Sequence, residues 1–176
     1  MRTGIFALDQ NSWTGFAVEQ IGGHPILGSR HFPRANPRMP GPQGLAFQIW
    51  LRESLESYRP ERVIYETPLP PIKQASTIVG SVTQGFAYVI EIVCAGLKIP
   101  VVTVSQGTWC KDFTGSGKRD KNTKGRVLLE CARRGFDPPD DNAADALGIL
   151  AYAVKLYYPT DRLRNAGVAN FSRLAA

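Results

Sequence analysis

Cysteine is scarce. Cys94, Cys110 and Cys131 are the only three among 176 residues, and they stand far apart with no C-x-x-C spacing. So scattered an odd set excludes a disulfide framework, provides no zinc site and points to a reducing compartment. Long hydrophobic runs are missing too. No stretch reads as uninterrupted apolar sequence over the ~18 residues of a membrane span, and the chain enters a strand-like segment at Thr3 without an apolar leader. A soluble, cytoplasmic protein with no membrane partner is the expectation. Internal repeats and low-complexity tracts are also lacking, so residues 1–158 read as one domain and 159–176 as a weakly patterned tail. At 43% hydrophobic and 20% charged residues, a chain of this length buries about 70% of its unfolded surface, which excludes disorder and supports an unstapled core.

What the sequence has in excess is positive charge. Lys and Arg number 21 against 15 Asp and Glu, a net charge of +6. Lys111 to Arg134 holds eight of the basic residues (Lys111, Lys118, Arg119, Lys121, Lys124, Arg126, Arg133 and Arg134) against Asp112, Asp120 and Glu130. A charge run alone is usually a solvated face. A second basic stretch, with Arg30, Arg34 and Arg38, is interleaved with Pro33, Pro37, Pro40 and Pro42; it reads as an exposed loop unable to begin a helix before Gly44. Together the two stretches favour a polyanionic partner.

Alternation and helical spacing give the element order. Thr3 to Leu8, Thr14 to Val18 and Pro25 to Phe32 predict an antiparallel meander turning at Gly22-Gly23. A helix over Leu45 to Tyr58 follows, then a buried strand over Arg62 to Glu66. Residues 73–96 predict a long helix with the apolar stripe Ala75, Val79, Val82, Phe86, Val89 and Val93. Beside it runs a stripe of small residues, Ser76, Gly80, Thr83 and Ala87, which suits either packing within the chain or a dimer contact. Ile99 to Val104 predicts a further strand, and Lys124 to Arg134 and Asp141 to Tyr157 predict two helices. The order describes an α/β chain: a mixed five-stranded sheet, three antiparallel strands then two parallel, flanked by helices in the manner of the ribonuclease H-like fold.

Four carboxylates sit where such a fold brings element ends together. Asp9 ends the first strand and Glu66 the fourth, while Asp141 and Asp145 are four apart on the last helix and share one face. Asp145 is the most telling, because it interrupts the apolar run from Ala143 to Ala151, where an unpaired charge costs several kcal/mol. Carboxylates gathered without a cation repel one another, whereas Mg²⁺, a hard ion that prefers oxygen ligands, keeps them ionised. Two such ions, about 3.5–4 Å apart, activate water and stabilise the leaving oxygen of a phosphodiester in line. Each acid also has a plainer role open to it: a turn residue at Asp9, a surface charge at Glu66, a helix N-terminal charge at Asp141.

The blocks Ile5-Phe6-Ala7-Leu8-Asp9, Thr14-Gly15-Phe16-Ala17-Val18, Val63-Ile64-Tyr65-Glu66 and Asp141-Asn142-Ala143-Ala144-Asp145-Ala146-Leu147, in that order, resemble the RuvC-type Holliday-junction resolvases, of phage or prophage kind. The resemblance spans about Gly4 to Tyr157. It implies a homodimeric endonuclease, dependent on Mg²⁺ or Mn²⁺ with two ions per site, that nicks four-way DNA junctions symmetrically. It assigns Asp9, Glu66, Asp141 and Asp145 to the metal and Lys124 to the catalytic side, with Lys111 as a second candidate. Leu69 stands where the family carries an aromatic wedge, and it cannot stack on a base. Gln10-Asn11-Ser12 departs from the family's loop after the first aspartate. Asp140 reads as a helix cap beside Asp141, and the alternative partner of Asp145 at a spacing of three is Asn142, a neutral oxygen ligand.

DNA contacts are assigned to Arg34, Arg38, Leu69, Lys111, Lys118, Arg119, Lys121 and Lys124. His24 and His31 read as hairpin or surface residues, and Trp13, Trp50 and Trp109 as core or rim aromatics, with Trp13 and Trp109 in loops near the carboxylates. Gly115-Ser116-Gly117-Lys118 is followed by Arg119 where a phosphate-binding loop needs Ser or Thr, which excludes a nucleoside triphosphatase. Two alternatives share the same features: a nuclease of this fold acting on other branched DNA, RNA–DNA hybrids or structured RNA, and a protein that binds junctions without cutting them.

Overall fold

The computed structural model describes residues 3–34, 36, 39–69, 77–118 and 120–168. Strands β1 (Thr3–Asp9), β2 (Trp13–Gln20) and β3 (Ile26–His31) form the antiparallel meander. Strands β4 (Arg62–Glu66) and β5 (Val101–Val104) join parallel to β1 on its other side, giving the order β3-β2-β1-β4-β5. Helices α1 (Gly41–Tyr58) and α2 (Thr77–Leu97) cover one face; α3 (Gln106–Thr114), α4 (Thr123–Arg133) and α5 (Asp141–Tyr157) cover the other. The mixed five-stranded sheet expected from the element order is the one observed.

The period-2 alternation of each strand feeds two cores. Phe6 and Leu8 of β1, Val18 of β2 and Val63 and Tyr65 of β4 pack with Phe47, Leu51, Phe86 and Ile90 under α1 and α2. Ile5, Ala7, Ala17 and Ile64 pack with Trp109, Val127, Leu147 and Leu150 under α3, α4 and α5. By the same alternation Asp9 and Glu66 fall on the α5 side. The parallel register pairs Leu8 with Tyr65, so the next residue of each strand is an acid, and the two acids emerge side by side.

Helix α5 seats unusually close to the sheet. A Cβ on Gly15 of β2 would lie 1.9 Å from the Asn142 carbonyl oxygen, and one on Gly148 of α5 would lie 2.6 Å from the Trp109 indole. No side chain fits at either contact.

The structure departs from sequence expectation in four places and bears on an open one in a fifth. Helix α1 begins at Gly41, not beyond Gly44, because Pro42 sits in the first turn, where no backbone N–H is needed. Helix α3 occupies a stretch that reads as loop; Ser105 caps it by accepting from the Thr108 N–H at 3.3 Å. Within the small-residue stripe of α2, Gly80 and Ala87 are buried inside the chain, and Ser76 and Lys73 lie outside the described residues. The Gly80–Leu97 stretch is long and apolar enough by composition to cross a bilayer, contrary to expectation, but Val82, Phe86, Ile90 and Val93 pack it into the core beneath the sheet. Finally, residues Arg162–Val168, within the presumed tail, form helix α6.

A buried ion pair fastens α6. Arg164, 6% exposed, donates to Glu19 of β2 at 3.3 Å and to both carboxylate oxygens of Glu61 at 3.1 and 2.9 Å. Its guanidinium also lies 3.7 Å from the Tyr158 ring centroid. Burial raises the pKa of Glu19 from its ordinary value, against the lowering effects of the Ile5 N–H and Arg164. Deleting the cation strands that carboxylate.

Arg164→Ala is therefore expected to lower unfolding stability by about 3–5 kcal/mol in urea titrations; a loss below about 0.5 kcal/mol would show that α6 is held by other contacts. Gly15→Ala forces β2 and α5 apart, and an overpacking loss of about 1–3 kcal/mol is expected in the same assay. Unchanged stability in this variant would mean that the backbone contact is not tight.

Candidate active site

A pocket of about 380 Å³ opens at the ends of β1 and β4. Asp9, Glu66 and Asp145 line it, from a strand end, a second strand end and the second turn of a helix. Gln10, Asn11, Lys124, Asn142 and Leu69 complete much of its wall. Three of the four predicted carboxylates thus meet, although more than fifty residues separate each from the next.

Asp141 and Asn142 exchange the places expected of them. The Asp141 carboxylate ion-pairs with the Lys124 ammonium, and it is Asn142, three residues before Asp145, that faces the pocket. Asp140 caps α5 by accepting from the Ala143 N–H at 2.8 Å, and it also accepts from the Ser29 hydroxyl and, at 3.1 Å, from the Trp13 indole. Burial opposes its ionisation, but these hydrogen bonds outweigh burial and hold Asp140 below the usual carboxylate range. The two adjacent acids therefore have separate work: Asp140 closes the helix, and Asp141 holds Lys124 at the pocket.

Two residues near the carboxylates in sequence expectation prove to be positioning groups. Trp109, fully buried on α3, donates its indole N–H to Glu66 Oε2 at 2.9 Å. Asn11 donates to Asp9 Oδ2 at 3.3 Å, lies 3.5 Å from Asn142 Oδ1, and accepts from the Trp13 N–H at 2.7 Å, which fixes the loop after β1. Trp109 is expected near the site but in a loop, and its hold on Glu66 is missed because nothing marks 106–114 as a helix. For Asn11 the signal is the Asn-Ser turn composition two residues beyond a strand-ending acid.

The electrostatics are those of crowded acids. Burial raises the Asp9 pKa well above its ordinary value, and the charges of Glu66 and Asp145 raise it further. The Lys124 pKa is raised chiefly by its hydrogen bond to Asp141, with Asp145 and Asp9 adding to the effect. Among the described residues no group of three or more His, Cys, Asp or Glu side chains is arranged to hold a metal ion. Three of the four acids have these protein partners: Asn11 for Asp9, Trp109 for Glu66, Lys124 for Asp141. The donor set itself fits a hard divalent cation, being carboxylate oxygens flanked by the amide oxygen of Asn142, with negative charge in excess of one lysine.

The remaining predicted contacts divide by location. Lys111, Lys118 and Lys121 are exposed on and after α3, and Lys111 borders a separate surface hollow with Ser105, Thr108 and Tyr152. Of the two candidate lysines only Lys124 reaches the acids. Arg34 is partly buried, while Arg38 and Arg119 lie outside the described residues. His24 and His31 are exposed and apart from the pocket lining.

No protein-family model and no curated protein sequence matches this chain. Solved structures do. A Thermus thermophilus RuvC in complex with Holliday junction substrate superposes with a TM-score of 0.64 at 16% identity, covering 94% of this chain and 97% of that one. A second Thermus thermophilus RuvC structure gives 0.62 at 17% identity over 82% of this chain and 89% of that one. The yeast mitochondrial Holliday junction resolvase Ydc2 gives 0.52 at 10% identity over 84% and 76%. At these identities the likeness establishes architecture: the chain has the ribonuclease H-like fold found in RuvC-type resolvases.

Proposed function

We propose that this protein is an endonuclease that resolves four-way DNA junctions in the cytoplasm by metal-assisted hydrolysis of phosphodiester bonds. One observation carries the reading: Asp9, Glu66 and Asp145, remote in sequence, border a single pocket with Lys124. A fold shared over nearly the whole length of a junction-bound RuvC supports the choice of substrate.

In this reading Asp9, Glu66 and Asp145 hold two Mg²⁺ ions, or Mn²⁺ in their place, with Asn142 and Asp141 flanking. The bound cations would activate water and neutralise the leaving oxygen. The chain's own contributions are positional. Asn11 orients Asp9, Trp109 fixes the rotamer of Glu66, and Lys124, braced by Asp141, offers a cation to the phosphate entering the pocket. Lys111, Lys118 and Lys121, with Arg119, Arg34 and Arg38, would track the phosphates on either side. Leu69, at the rim of the pocket, would insert apolar surface at the junction centre without stacking.

Symmetric nicking needs two sites, so a homodimer belongs to the reading. Gly80 and Ala87 are buried within the chain and unsuited to a dimer contact, which moves the favoured surface to the other side of α2. There Tyr88 and Ile92 are exposed on one stripe. Leu45 and Ile49 are exposed on α1, whose Arg52 approaches Gly96 of α2. Large apolar side chains grouped this way suit a self-complementary interface.

Asp145→Asn is expected to reduce Mg²⁺-dependent nicking of a synthetic four-way junction by more than about a hundredfold, beyond what loss of an outer-shell partner costs, with junction binding in Ca²⁺ retained. Undiminished nicking removes the assignment, and equal cleavage of flap or RNA–DNA hybrid substrates shifts it to a broader nuclease. Placing glutamates at Tyr88 and Ile92 together is expected to convert dimer to monomer in sedimentation. A dimer unaffected by both would put the interface elsewhere.

A further inference from the structure

Beside the carboxylate pocket lies a flat, exposed aromatic surface. Trp13 and His31 oppose each other across the β2–β3 ladder, and their rings stack with centroids 4.5 Å apart and 25° between planes. The indole is 47% exposed, and the imidazole is exposed as well. The other two tryptophans are buried, Trp50 at 8% and Trp109 at 0%.

The surface is rigid. The Trp13 indole N–H reaches Asp140 Oδ2 at 3.1 Å and Ser29 Oγ at 3.2 Å, and the Trp13 backbone N–H donates to Asn11 Oδ1 at 2.7 Å. With its polar edge satisfied inward, the indole presents only a ring face to solvent. It is also tied to the pocket at two points. Asn11 and Ser12, the residues just before Trp13, line the pocket, and Asp140 caps the helix that carries Asp145.

We propose that Trp13, stacked on His31, is a nucleobase-stacking site that holds one base of the DNA strand led into the pocket. The inference rests on the nuclease reading above and specifies how that site grips its strand. An aromatic face beside a basic path is the combination that holds splayed bases without regard to sequence, because every base has a π-face. A preordered ring makes the contact without loss of side-chain entropy.

The test uses wild type, Trp13→Phe and Trp13→Ala with a synthetic four-way junction in Ca²⁺, where binding proceeds without cutting. Junction is expected to quench the fluorescence of the one exposed tryptophan. Trp13→Ala is expected to bind about tenfold more weakly, and Trp13→Phe, which keeps a ring but loses the indole N–H, within about threefold of wild type. Junctions carrying a single abasic nucleotide at successive central positions add a second readout. At one position wild type is expected to lose about tenfold while Trp13→Ala loses nothing further. Absence of quenching, or a Phe variant as weak as the Ala variant, or abasic losses equal in both proteins, overturns the stacking site. Wild-type nicking of the same junction in Mg²⁺ separates the two ideas: cutting without quenching removes the stack, and quenching without cutting removes the nuclease.

Discussion

Helix α5 can lie where it does only because one partner at each of its tightest contacts has no side chain. Gly15 admits the backbone of Asn142, and Gly148 admits the Trp109 ring. Everything at the pocket follows from that approach. It carries Asp145 and Asn142 up to the end of β1, and it lets Trp109 reach past the helix to hold Glu66 at 2.9 Å. A sheet and a helix at ordinary packing distance would leave those acids on separate surfaces. The small residues Ala143, Ala144 and Ala146, all fully buried, extend the same principle along the first turns of the helix.

The charge arrangement is the second consequence. Packing four acids at the end of a hydrophobic sheet is unfavourable in itself, and the cost appears in the raised pKa of Asp9. Lys124 offsets one charge and is itself bound to Asp141, which lies outside the lining. Asp9, Glu66 and Asp145 are the acids that line the pocket, and the strand and helix backbones beneath them fix their spacing. A carboxyl whose ionisation is opposed by burial and by two neighbouring acids, at a concave site, is a physical mark of function.

How much of this was legible depended on which physical signal marked each element. Strand alternation and the Pro-Pro-Asp boundary before α5 were strong enough to place the sheet, Asp9, Glu66 and the bounds of α5. Helix α3 was not legible because nine residues with apolar positions only at Trp109, Cys110 and Phe113 do not establish a period. Helix α6 was hidden for a different reason: beside Gly167 and Val168 it buries a charged residue, Arg164, which hydrophobic periodicity counts as polar. Sequence left the roles of Asp140 and Asp141 interchangeable beside Asp145, and it favoured Asp141 over Asn142 although both i−4 and i−3 share a face with Asp145. The structure has Asp140 as the cap, Asp141 on Lys124 and Asn142 in the lining, and a contact seventeen residues away leaves no local trace. The small-residue stripe of α2 left packing within the chain and a dimer contact equally open, because small side chains admit any close neighbour; Gly80 and Ala87 are buried within the chain, and Gly80 and Thr83 line the pocket.

Arginine and lysine divide the positive charge between architecture and surface. Arg126 binds Asp120 and the Lys118 carbonyl; Arg134 binds Glu130 and the carbonyls of Phe113 and Val168; Arg164 binds Glu19 and Glu61. Each uses the planar guanidinium to satisfy several acceptors at once, which an ammonium cannot do in fixed directions. Lys111, Lys118 and Lys121 remain exposed, as mobile point charges around α3 and α4. Arg30, Arg52, Arg59 and Arg133 are exposed as well, so the division is partial and the net charge of +6 reaches solvent through both residue types. A guanidinium committed to several fixed acceptors serves the fold, whereas an exposed cation of either type gives a polyanion affinity that falls steeply with salt.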